Sequence, residues 1–212
     1  MGTYNEGVLG SFSGKVGPVI GSNWRGKSVM RSIPVKSTKV ASAAQQLQRD
    51  KFKFVLQFLT PLKGLLTETF GANVGAKTPF NNATSYHMKE VVTQTPTGFT
   101  MNYSKVLIGM GGLCGIENPV VYGTATNALS LTWDNNSEQG LAYPTDDLLV
   151  VVYAPTLNDF DLFLAYSQRD AGVCTLDFQE AFYGETVHLW ATFTNTNLAV
   201  SATSSYLGAF VV

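Results

Sequence analysis

Nucleotide hydrolases hold phosphate with a loop of the pattern G-x-x-x-x-G-K-[ST], and the stretch Gly21–Ser28, GSNWRGKS, fits that pattern. In such a loop, backbone N–H groups converge on the phosphates, and a helix that begins at the lysine points its positive end at them. Here Lys27 is followed by a short segment that Pro34 closes, so there is no room for the helix. We therefore predict a hairpin with a tight turn at Arg25-Gly26, and no nucleotide site.

The remaining residues that could do chemistry do not combine into a catalytic arrangement. His87 and His188 are the two candidate bases, and neither lies in the context that presents a nucleophile. We interpret His188 as a half-exposed strand residue. Cys114 and Cys174 have no metal-ligand spacing; we interpret them as small buried residues and leave open whether they pair. We predict no catalytic, cofactor-binding or metal-binding residue, no small-molecule substrate and no enzymatic activity.

Charge is segregated along the chain. Residues 1–100 contain twelve Lys or Arg and four Asp or Glu, a net charge of +8, whereas residues 101–212 contain two and eleven, a net charge of −9. Such asymmetry is found in proteins that bind nucleic acid, but opposite halves of similar magnitude also attract each other, within a molecule or between copies. We favour this attraction between the two halves, within a molecule or between copies, and do not expect nucleic acid as the partner, because the acidic half would repel it.

The composition indicates a protein that buries part of its exterior. Only 14% of residues are charged and 45% are hydrophobic, so much of the surface must be uncharged, and such a surface loses its water at little cost. We find no apolar run long enough to span a membrane, and no signal peptide. We therefore expect synthesis in the cytoplasm, and leave open a virion or an exported assembly as the destination.

The first half of the chain divides into an arm and a helical segment. Residues 1–40 are glycine-rich and basic, with short apolar pairs typical of strands and turns, and we predict a β-hairpin arm. Residues 41–98 have apolar side chains at helical spacing, with Ser42 as a predicted N-cap and Thr78-Pro79 as a predicted helix start. The breadth of the first apolar stripe predicts a helix that is buried on two sides.

The second half, residues 99–212, has the pattern of a β-sandwich. Seven short strands over about 95 residues, separated by turns, are typical of an immunoglobulin-like or fibronectin-III-like domain. Alternation in Val187–Ala191 predicts that one face of that strand lines the core. The predicted fold class is therefore α+β: a glycine-rich hairpin arm, a helical segment and a C-terminal sandwich.

Four segments together carry a resemblance to a known family. They are GSFSGKVGPVIGSNWRGKSVMRS, QQLQRDKFKFVLQFLTPLK, NATSYHMKEV and the C-terminal SSYLGAFVV. The sequence resembles a domain-of-unknown-function family that is abundant in Bacteroidota. The resemblance implies the layout of arm, helices and sandwich, and it implies no established activity or ligand.

These observations lead to one functional hypothesis and one alternative. The first is a non-enzymatic structural protein that forms homo-oligomers, in which the arm packs on a neighbouring subunit of a virion, tube or surface fibre. The alternative is a monomeric binding module for a glycan or peptide. The predicted interface residues of the arm are Lys15, Trp24, Arg25, Lys27 and Arg31. Their predicted partners on the body are Asp146, Asp147, Asp159 and Asp161, for which calcium binding is a further possibility.

Overall fold

A computed structural model describes residues 3–4, 10–24, 26–36, 39–73, 77–125 and 127–212 of the chain. The chain forms two compact units, Met1–Gln46 and Leu47–Val212. The predicted division into residues 1–40, 41–98 and 99–212 remains a prediction about domains. No helix of the described residues is long and apolar enough to cross a membrane.

The N-terminal unit is built around an antiparallel sheet, which we call the arm sheet. Its strands, in spatial order, are β1 (Thr3–Tyr4), β2 (Phe12–Val16), β3 (Val19–Trp24) and β4 (Lys27–Ser32). Trp24 pairs with Lys27, and the Asn23 Oδ1 accepts a hydrogen bond of 2.9 Å from the N–H of Gly26, whose φ is +78°. The predicted hairpin is confirmed, and β4 occupies the position where a phosphate loop needs a helix.

Local signals set the starts of the helices. Helix α1 (Ala43–Leu59) begins with a reciprocal cap, in which the Gln45 N–H donates to Ser42 Oγ (3.3 Å) and the Ser42 N–H donates to Gln45 Oε1 (3.2 Å). Helix α2 spans Lys63–Thr69. Helix α3 (Pro79–Tyr86) is capped by Thr78 as predicted, and a π-helical turn, His87–Val91, extends it.

Strands follow the helices to the end of the chain. A hairpin of β5 (Val92–Thr95) and β6 (Gly98–Met101) comes first. One sheet then has the order β11-β8-β7, and the other has the order β10-β9-β12, with both β13 and β14 paired to β12. These strands are β7 (Glu117–Ala125), β8 (Ala128–Asp134), β9 (Asp147–Ala154), β10 (Asp159–Gln168), β11 (Val173–Asp177), β12 (Thr186–Asn195), β13 (Val200–Ser201) and β14 (Ser205–Val211).

The two sheets enclose one hydrophobic core, as a β-sandwich requires. Leu131 of β8, Val150 of β9, and Leu189 and Phe193 of β12 are fully buried in it. The predicted alternation is confirmed, since Val187, Leu189 and Ala191 all belong to this core.

A second core lies on the opposite face of the β10-β9-β12 sheet, where the helices pack. Val151 of β9 and Trp190 of β12 contribute to it, together with Val55 and Leu59 of α1. Strand β9 is therefore buried on both faces, which explains its continuous apolar sequence LLVVVYA. The prediction that α1 is buried on two sides is wrong. Its buried residues lie on one face, while Leu47 and Phe52 are 36% and 47% exposed.

Candidate assembly surfaces

The arm sheet has almost no buried side chains. Gly21 is the only buried residue among those described in the N-terminal unit, and every residue of β4 is exposed. Gly21 lies beneath Phe12: a Cβ atom at this position would clash with the Phe12 carbonyl oxygen and would lie 2.7 Å from its ring. Only glycine fits there, and the sheet gains close contact between β2 and β3 without gaining a core.

The strand register collects the basic residues of the arm on one face. Residues that pair directly across strands project to the same side, and alternate residues of a strand share a face. Lys15 and Arg31 both pair with Ile20, and Lys27 pairs with Trp24, which is four residues further along β3 and on the same face. Val29 pairs with Ser22, which lies between them.

We call this surface the arm face: Lys15, Ile20, Trp24, Lys27, Val29 and Arg31. It combines three exposed cations with apolar side chains, among which Trp24 is 53% exposed and Val29 is 38% exposed. The structure thus brings together four of the five predicted arm residues. Arg25, the fifth, lies outside the described residues.

The four predicted acidic residues do not form one surface. Asp146 is fully buried and is held by Arg169, whose Nε donates to Asp146 Oδ2 at 3.0 Å. Asn195 Nδ2 donates to the other carboxylate oxygen at 2.6 Å, and the Tyr143 N–H donates to Oδ2 at 2.9 Å. The prediction that Asp146 pairs with the arm is therefore wrong, because its hydrogen bonds are made within its own unit.

Arg169 is the ion-pair partner of Asp146 that sequence reasoning missed. Its guanidinium is fully buried, donates to the Cys114 carbonyl at 2.8 Å and to Asn136 Oδ1, and lies 3.9 Å from the centre of the Phe193 ring. One signal could have identified it: between residues 106 and 212 it is the only basic residue. Since Arg169 is buried, the accessible carboxylates of residues 106–212 have no accessible basic residue in that segment.

The other three acids lie on different faces of the sheet. Asp159 is exposed and Asp161 is half-buried; both lie on β10 and pair with residues of β9 that face the sandwich core. Burial raises the pKa of Asp161, and the negative charge of Asp159 raises it further, against a backbone hydrogen bond that lowers it. Asp147, half-buried, belongs to the opposite face of the sheet, and its role as an arm partner remains a prediction.

A groove opens where the helices stop covering the sheet, and we call it the sheet groove. Its volume is about 830 Å³, and its floor is formed by Leu149 of β9 and by Leu162 and Leu164 of β10. Residues of α2 and the segment after it line one wall, and the β12-β13 connection lines the other. Glu68 and Asp147 are its charged lining residues, and none of its described lining residues is basic.

A β-bulge shapes this groove. The register of β10 against β9 moves from Phe163 opposite Val150 to Ser167 opposite Leu148, so that β10 has two extra residues. Ala165, within the bulge, has a φ of +48°. Bulges of this kind bend edge strands and redirect side chains, and Leu164 is left 55% exposed. No sequence signal marked this irregularity.

A second groove, of about 670 Å³, lies between α1 and α3, and we call it the helix groove. Phe52, Leu56, Phe80 and Met88 are among its apolar lining residues. Its charged lining residues are Lys51 and Lys89, so its sign is opposite to that of the sheet groove.

Both histidines contact other residues of the C-terminal unit. His188 is half-buried; its Nδ1 lies 2.8 Å from the Tyr206 hydroxyl, its ring stacks on Tyr103 at 4.0 Å, and burial lowers its pKa. The interpretation of His188 as a half-exposed strand residue is confirmed. His87 is fully buried, with Nδ1 2.8 Å from the Ala83 carbonyl oxygen.

Comparisons with curated proteins, solved structures and family profiles identify the family of the chain. No curated protein matches it. Among solved structures, the fn3 domain of the human collagen alpha-1(XX) chain is 11% identical over 49% of this chain and 89% of its own length, with a TM-score of 0.36. The fn3 domain of human contactin 1 is 9% identical over 47% of this chain and 76% of its own, with a TM-score of 0.36. The profile of one family matches residues 11–208, which confirms the resemblance to an uncharacterised family, and the chain belongs to this family of unknown function, DUF6266.

Proposed function

We propose that the protein is a non-enzymatic structural protein that assembles with copies of itself, with its arm packing on a neighbouring subunit. The observation that carries this proposal is the arm face. A small antiparallel sheet is stable by itself in water when it has a hydrophobic face or packs against another element, and the described part of the N-terminal unit buries no side chain. A covering partner therefore completes the arm.

The apolar part of the arm face supports association. Burying a side chain such as valine stabilises a complex by about 1.5–3 kcal/mol relative to leaving it exposed, and aromatic side chains are enriched at interfaces. Trp24 and Val29 lie on the same face as the cations, so a partner that covers one set covers the other.

The charges support a second copy as the partner. Residues 1–46 contain six basic residues and one acidic residue, whereas the segment after residue 105 contains one basic residue, Arg169, which is buried. Opposite potentials accelerate encounter and fix the orientation of two proteins. Contact between the arm of one copy and the body of the next is heterologous, so its repetition gives a ring or a filament.

Mass in solution tests this proposal. Charge reversal at Lys15, Lys27 and Arg31, each to Glu, places three carboxylates on the arm face. The matched control reverses Lys53, Lys63 and Lys89, which are exposed cations outside the arm face, and changes the net charge by the same amount. We expect sedimentation velocity to show large species for the wild type and the control, and monomers for the arm variant.

Salt provides a second measurement. Screening shortens the range of charge interactions to about 8 Å at 0.15 M and about 3 Å at 1 M ionic strength, so the large species should dissociate as salt rises. A wild-type protein that stays monomeric at all salt and protein concentrations would contradict self-assembly and favour the monomeric binding module, for which the sheet groove is the candidate site.

A further inference from the structure

We infer that the sheet groove binds the arm face of a second copy. This inference rests on the proposed function and specifies the surface of the body that the arm binds. The groove has a volume of about 830 Å³ and a floor of three leucines. It is also an exposed apolar surface, since Leu162 and Leu164 are 37% and 55% exposed.

Charge distinguishes between the two apolar grooves of the body. The helix groove is lined by Lys51 and Lys89 and by no described acidic residue, so it would repel a cationic arm. The sheet groove is lined by Glu68 and Asp147 and by no described basic residue. Opposite charges across an interface favour the correct partner, and like charges exclude the wrong one.

The arrangement of groups is also complementary. On the arm face, the aromatic ring of Trp24 and the aliphatic side chain of Val29 accompany Lys27 and Arg31. In the groove, the leucines of β9 and β10 form the floor while the carboxylates belong to the lining. Apolar side chains of the arm would contact the leucines, and its cations would pair with Glu68 and Asp147.

Two pairs of charge reversals test this assignment. One combines Lys27→Glu with Arg31→Glu, and the other combines Glu68→Lys with Asp147→Lys. Each pair should weaken self-association about tenfold or more, because each puts like charges into contact. The chain that carries both pairs should recover at least half of the lost free energy of association, since attraction is restored with the signs exchanged.

A matched control separates local contact from net charge. Asp170→Lys with Glu180→Lys changes the net charge as much as the groove pair, at exposed positions outside the groove lining. This control should leave the dissociation constant within about threefold of wild type. Sedimentation velocity over a concentration series measures the wild type and all four variants.

The outcomes distinguish this inference from the proposed function. If the arm pair weakens association and the groove pair does not, the groove assignment is overturned while self-assembly stands. If neither pair changes the mass, both are overturned. If the groove pair changes thermal stability but not mass, the groove is not an interface between copies, and the inference is again overturned.

Discussion

Replacing Arg169 with Met should destabilise the C-terminal unit strongly. The guanidinium is fully buried, and its loss leaves the equally buried carboxylate of Asp146 with two donors, Asn195 Nδ2 and the Tyr143 N–H. Removing one partner of a buried ion pair costs about 3–5 kcal/mol, because the remaining charge stays out of water. The variant also loses the hydrogen bond to the Cys114 carbonyl and the contact with the Phe193 ring.

The melting temperature should show this loss. For a unit of this size, 1 kcal/mol corresponds to about 2–4 °C, so a loss of about 4 kcal/mol lowers the midpoint by roughly 8–16 °C. Circular dichroism during heating, together with urea denaturation, measures the change. Asp170→Asn is the matched control, because Asp170 is the exposed neighbour of Arg169 and its substitution should cost less than about 0.5 kcal/mol.

A double variant isolates the pair. Asp146→Asn removes the charge that Arg169→Met leaves behind, so the double variant should be more stable than the sum of the two single changes predicts, by about 1 kcal/mol or more. An Arg169→Met protein that melts within about 3 °C of wild type would refute the reasoning. Such a small change would mean that the Asp146 carboxylate forms a hydrogen bond with water or with another donor in the variant.

Three further predictions concern other parts of the chain. Burial lowers the pKa of His87 to about 4, whereas a histidine of the unfolded chain takes up its proton at about pH 6.5. The free energy of unfolding is therefore fully present above pH 6.5, and up to about 3 kcal/mol of it is lost as the pH falls to 4. Urea titrations at several pH values should show this loss, and His87→Leu should remove it. Burial raises the pKa of the Cys174 thiol to about 11, so iodoacetamide should modify Cys174 far more slowly at pH 8 than it modifies the half-buried Cys114. Mass spectrometry of digests measures both rates, and equal rates would contradict the burial of Cys174. Gly21→Val should disrupt the contact with Phe12 and abolish association, while the main melting transition should stay within about 2 °C of the wild-type value. If large species remained, the order of the arm sheet would not be needed for assembly.

The sequence by itself determined the local elements. The cap formed by Ser42 and Gln45, the start of α3 at Thr78, and the turn before Gly26 each depend on residues within four positions of one another. Propensity, capping and turn geometry act at this range. The period of two in the strands likewise predicted that one face of β12 lines a core, because alternation follows from strand geometry alone; that Val187, Leu189 and Ala191 form the sandwich face was shown by the fold.

Only the tertiary structure decided which groups meet. Asp146 contacts Arg169, which is 23 positions away along the chain, and Asn195, which is 49 positions away. No sequence pattern indicates that residues at these separations meet. The apolar run of β9 is compatible with burial on one side by the sandwich and on the other by helices, but only folding shows that both occur. The sheet groove depends on where α2 ends over the sheet and on the bulge in β10. Both result from the packing of distant segments, because the helices, the bulge and the leucine floor belong to separate parts of the chain that contact one another only in the folded unit.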